Sequence, residues 1–165
     1  MGNKRILVIG YGNPGRGDDG LGPAIAARLE ALQIPSLSVE SDYQLSIEHA
    51  ALAAEHDIVV FADAARDAEG PFYFRPVVPA PAITLGSHSV TPAEVLFLAR
   101  SCFNASPQGF LLGMHAPDLE RFQEGLSPAA RQALEAALEY LREFVAGVPS
   151  TSRGCPGSVP PLTPS

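Results

Sequence analysis

The chain has 165 residues, 46% hydrophobic and 18% charged, with Lys+Arg 11 against Asp+Glu 18 and a net charge of -7. That length suits one domain with its own core, and the acidic balance excludes a sequence-independent nucleic-acid binder, which needs a basic footprint. No apolar run reaches the ~18 residues of a membrane span, and two cysteines, Cys102 and Cys155, make neither a disulfide framework nor a cysteine metal site.

The opening Met-Gly-Asn-Lys-Arg runs into Ile-Leu-Val-Ile-Gly, too short an apolar stretch for a signal-peptide core. The expectation is a protein of the reducing cytoplasm with no membrane partner. Lys4 to Ile9 reads as a buried strand, followed by a Gly/Asn loop from Gly10 to Gly17. Leu21, Ile25, Leu29 and Leu32 share one face at helical spacing, and Pro23 is tolerated in the first turn. Ile34 to Asp42 is a weaker strand and Ser46 to Glu55 a second helix. Asp57 to Ala62 is continuously apolar after its first residue, as in a strand buried on both faces, with Asp63 at its carboxyl end. Phe72 to Val78 fits an edge strand because Pro76 would break a central one.

Thr91-Pro92-Ala93-Glu94 predicts a capped helix start. Cys102, at the end of that helix, reads as packing. Gly109 to Met114 is a further strand, and Ser127-Pro128 opens the last helix, with Leu134, Leu138, Leu141 and Val145 on one face. The Pro/Ser-rich composition after Gly147 predicts a domain over 1–147 and a disordered tail over 148–165. The order of elements implies a single-domain, three-layer α/β sandwich: a mostly parallel, twisted sheet with helices on both faces. Ligands then belong beyond the carboxyl ends of the strands.

Gly10-Tyr11-Gly12-Asn13-Pro14-Gly15 matches G-x-G-x-x-G after a strand, and Asp42 stands where a ribose-binding acid would be sought. Three details oppose a dinucleotide site. Pro14 removes a backbone donor, Gly15 does not open the helix, and Asp18 and Asp19 at the helix entrance would repel a phosphate. Capping accounts for one of the two acids. Gly12, Asn13 and Asp18 are instead taken as a loop shaped to hold a substrate.

Asp19, Asp63 and His88 all belong at one edge of such a sheet. Two carboxylates and an imidazole form a mixed O/N set suited to zinc or nickel, with a position left open. His49 and His56 are placed as surface or supporting residues. His115, after an apolar strand, is given a supporting role near the rim. No nucleophile elbow or H-E-x-x-H is present.

Gly10-x-Gly12-Asn13 with Asp18-Asp19-Gly20-x-Gly22, then Val59-Val60-Phe61-Ala62-Asp63-Ala64, then Ser87-His88 before Thr91-Pro92, and Gly125-Leu126-Ser127-Pro128 resemble the motifs of the nickel-iron hydrogenase maturation endopeptidases, from about Arg5 to Val145. The segment Asp42-Tyr43-Gln44-Leu45 departs from that family's glycine-rich pattern. The resemblance implies a monomeric or weakly associating enzyme that removes a C-terminal peptide from the hydrogenase large-subunit precursor after nickel insertion. It also implies functional acid, acid and histidine positions at Asp19, Asp63 and His88, and a nickel ion supplied by the substrate, or another divalent metal. Either the metal polarises the scissile carbonyl or a carboxylate serves as base toward water. Two alternatives stand beside this: a nickel-dependent docking or chaperone protein that does not cut, and a small Rossmann-like nucleotide module.

Overall fold

The computed structural model describes residues 4–84 and 89–148. Its element order is β1 (Ile6–Tyr11), a 3-10 turn (Gly17–Gly20), α1 (Leu21–Ala31), β2 (Leu37–Asp42), α2 (Glu48–Ala54), β3 (Ile58–Ala65), β4 (Phe72–Val77), α3 (Pro92–Phe103), β5 (Gln108–His115) and α4 (Pro128–Gly147). The strands form one sheet in the order β2-β1-β3-β5-β4. The first four of these are parallel, and β4 closes one edge antiparallel to β5. This is the expected three-layer α/β architecture. Pro76 sits on the edge strand, where no second neighbour needs its missing amide.

Burial on both faces explains why β3 reads as an unbroken apolar run. Ile58, Val60 and Ala62 enter the core under α1 and α4, while Val59 and Phe61 enter the core under α2 and α3. A group of rings outside the leucine stripe fixes α4 to the β4–β5 edge. Phe74 stacks on Phe110 at 4.9 Å between centroids and meets Tyr140 and Phe144 at 5.0 and 5.1 Å. Such contacts add about 0.5–1.5 kcal/mol each beyond the area they bury.

Several sequence expectations are corrected. β1 runs from Ile6 to Tyr11 rather than from Lys4 to Ile9, because β2 pairs with it through Tyr11. β3 continues to Ala65, so Asp63 lies within the strand and not after it. Cys102 is exposed rather than packed, since it falls on the outer face of α3. His49 and His56 are buried rather than on the surface. His49 Nδ1 accepts from the Ser46 amide at 2.9 Å, and His56 Nδ1 donates to the Leu52 carbonyl at 2.7 Å. Of the tail expected from 148 onward, only Val148 is described. Among the described residues no helix is long and apolar enough to cross a membrane.

Candidate active site

The loop between β1 and α1 is built around the two adjacent acids, which face different ways. Asp18 is fully buried. Its carboxylate accepts from the amides of Asp118 (2.9 Å) and Ser127 (2.7 Å) and from the Ser127 hydroxyl (2.7 Å). Ser127 Oγ accepts in turn from Ala130 N at the start of α4. A buried carboxylate is tolerable only with partners of this kind. Asp18 therefore ties the 3-10 turn to the N-terminus of α4. This corrects its assignment to the substrate-binding loop: with no exposed surface it cannot meet a substrate.

Asp19 turns toward the rim. Its Oδ2 accepts from Asn13 N at 2.8 Å, and Asn13 Oδ1 accepts from Gly15 N at 2.9 Å. The loop amides that a pyrophosphate would need are thus engaged by the protein's own acceptors, which disfavours the nucleotide alternative. Gly12 holds this geometry at φ +145°, and a Cβ there would stand 2.0 Å from the Asp19 carbonyl oxygen. Only glycine fits both conditions.

Asp63 rises from β3 on the α2/α3 side of the sheet, and it is only partly exposed. Ala64 N donates to its Oδ1 at 2.8 Å, and the Tyr11 hydroxyl donates to the same carboxylate. Burial is the main cause that pushes the Asp63 carboxyl up to about 6; the Ala64 amide opposes it, and the nearby charge of Asp19 adds to it. The Tyr11 phenol is itself pushed above its ordinary value by burial and then by Asp63. Asp19 and Asp63 are therefore near enough at the rim for one charge to act on the other. Asp19 Oδ1 has no hydrogen-bond partner among the described residues.

His88 lies outside the described residues. The ends of its loop are fixed by one carboxylate: Glu94 Oε1 accepts from Thr84 N (2.9 Å) and Oε2 from Thr91 N (2.8 Å), while Thr91 Oγ1 accepts from Glu94 N. These amides hold the Glu94 carboxyl below its ordinary value. Val90 N donates to Leu45 O just beyond the carboxyl end of β2. His115 ends β5 opposite Ala65, and its Nδ1 is buried without a partner among the described residues. Among those residues no three His, Cys, Asp or Glu side chains converge on a cation position.

Two tyrosines that carry no motif signal complete the site. Tyr11 pairs with Asp42 in register, Asp63 with Gly113, and Gly113 with Tyr73. Gly10 pairs with Ala62, which sets Tyr11 beside Asp63. One row across the sheet thus holds Asp42, Tyr11, Asp63, Gly113 and Tyr73. A hollow of about 470 Å³ at Ile6, Ile34 and Val148 lies at the opposite, amino end of the strands.

The sequence matches no protein-family model and no curated protein. Solved structures do match. The [NiFe] hydrogenase maturation protease HycI from Thermococcus kodakarensis KOD1 aligns with a TM-score of 0.69 at 23% identity, over 88% of this chain and 95% of that one. The hydrogenase maturating endopeptidase HybD from E. coli gives 0.67 at 25% identity, over 90% and 98%. The hydrogenase 2 maturation peptidase from a Thaumarchaeota archaeon gives 0.61 at 21% identity, over 88% and 100%. The resemblance carried by the short sequence motifs is thereby joined by one of structure, and over 88–90% of its length the chain has the fold of the hydrogenase maturation proteases.

Proposed function

We propose that this protein is an endopeptidase that removes the C-terminal extension of a nickel-iron hydrogenase large subunit after nickel insertion. The observation that carries the reading is the pairing of Asp19 and Asp63 at the carboxyl rim of a sheet with the HybD-type fold. Two carboxylates whose charges oppose each other form a place that a cation relieves. The nickel belongs to the precursor and enters as part of the substrate; Asp19, Asp63 and His88 are the residues that would engage it. With the metal held there, the scissile bond would lie near Asp63, and the metal or a carboxylate would supply the activation of water.

The surroundings suit a protein substrate. Tyr43 and Ile47, after β2, are 70% and 66% exposed, and Phe122, in the loop stitched to the 3-10 turn, is 82% exposed. Exposed apolar side chains flanking a shallow rim fit a macromolecular partner.

The test is a cleavage assay, read by the mass of the large subunit, on nickel-loaded and nickel-free precursor. Shortening of the loaded form alone is expected. Equal cutting of both forms would refute the nickel requirement. An unchanged mass for the loaded form, with binding retained, would assign the protein to the docking role.

A further inference from the structure

The phenol of Tyr73 is placed by an absence. Gly113 lies between Asp63 and Tyr73 in the sheet register. A Cβ at Gly113 would stand 2.2 Å from Tyr73 Cζ and 2.6 Å from both Cε atoms. The ring therefore lies across the β5 backbone in the space a side chain would fill, leaning from the edge strand toward Asp63. The Arg75 guanidinium stacks over the same ring at 4.4 Å from its centroid and holds it down. Through Gly113 the Tyr73 ring stands next to the Asp63 position on one side, and Tyr11 stands next to it on the other, so the two phenols flank one carboxylate in the row. Their situations differ. Tyr11 donates to Asp63, whereas the Tyr73 hydroxyl has no hydrogen-bond acceptor among the described residues and is partly exposed at the rim.

We propose that Tyr73 is a catalytic residue: its hydroxyl donates a hydrogen bond to the carbonyl oxygen of the peptide bond cut beside Asp63, and to the oxyanion which that oxygen becomes. The inference rests on the endopeptidase reading above. Water adds to the carbonyl carbon and gives one proton to a carboxylate of the site. The C–N bond then breaks, the leaving amine takes that proton, and the oxyanion collapses to a carboxylic acid. Tyr73 keeps its own proton throughout, as an oxyanion-hole donor does. A ring fixed between backbone and guanidinium needs little reordering when charge develops.

The experiment compares wild type, Tyr73→Phe and Gly113→Ala on nickel-loaded precursor purified from cells lacking this protein. Tyr73→Phe keeps the ring over Gly113 and removes only the donor. We expect kcat to fall about 100-fold, the usual size for one oxyanion donor, with KM and melting temperature unchanged. Gly113→Ala displaces the ring, and in the Tyr73→Phe background it should cause no comparable further loss in kcat. A Tyr73→Phe enzyme with wild-type kcat, or one impaired in KM alone, overturns the proposal while the endopeptidase reading stands. A wild type that leaves the precursor uncut overturns that reading itself.

Discussion

The hydroxyl of Ser127 meets the carboxylate of Asp18 at 2.7 Å across 109 positions of sequence. This contact decides the orientation of the adjacent acid. With Asp18 fixed under α4 and Gly12 closing over the Asp19 carbonyl, Asp19 is left facing the rim. One acid is locked into the fold and its neighbour keeps one carboxylate oxygen without a hydrogen-bond partner among the described residues.

Asp18→Ala leaves two amides and a hydroxyl without their acceptor in a buried place. Unfolding in denaturant should show a loss of about 3 kcal/mol, the scale for breaking a buried charged hydrogen-bond network. Asp18→Asn should also destabilise, because an amide nitrogen is brought against donors.

Asp63→Asn should abolish processing while raising stability near neutral pH. The Asp63 carboxyl, at about 6, is raised above its ordinary 3.8. A carboxyl shifted upward favours the folded state while protonated, so its contribution is complete below about pH 4 and is lost as pH rises through 6. Removing the ionisation should therefore stabilise the chain above pH 6, by up to about 3 kcal/mol. Thermal melts at pH 4.5 and 8 give the comparison. Processing by wild type should rise with pH through about 6, since both a metal ligand and a base must be ionised.

Gly12→Ala combines an unfavourable φ with overlap on the Asp19 carbonyl. A stability loss of about 3 kcal/mol is expected, together with loss of processing, because Asp19 must move. Chemical denaturation and the mass assay on one preparation would check both.

Glu94→Gln tests the device that bounds the His88 loop. A carboxyl held below its ordinary value stabilises the fold above the unfolded value, and this is lost as pH falls through the folded value. The variant should melt below wild type at pH 7, and the gap should close under acid.

Much of the frame was legible because it depends on local patterns. The apolar run of β3, the Thr91–Glu94 box and the Ser127 cap each follow from a few adjacent residues, and all three are present. The pairing of Asp19 with Asp63 was legible through topology, since parallel strands bring their carboxyl ends to one rim. The separate fates of Asp18 and Asp19 were not legible. They depend on amides of residues 118 and 127, which no local pattern connects to position 18. Tyr73 escaped for the same reason: its place follows from Gly113, the partner of both Asp63 and Tyr73 on the intervening strand, visible only once the register is known. The ring contacts of Tyr140 and Phe144 were hidden by the leucine stripe beside them.

The engagement of the first loop by Asp19 has a consequence for selectivity. An open glycine nest after a first strand offers its amides to any phosphate that meets it. With a carboxylate of its own chain already seated on the Asn13 amide, this nest is closed to such anions.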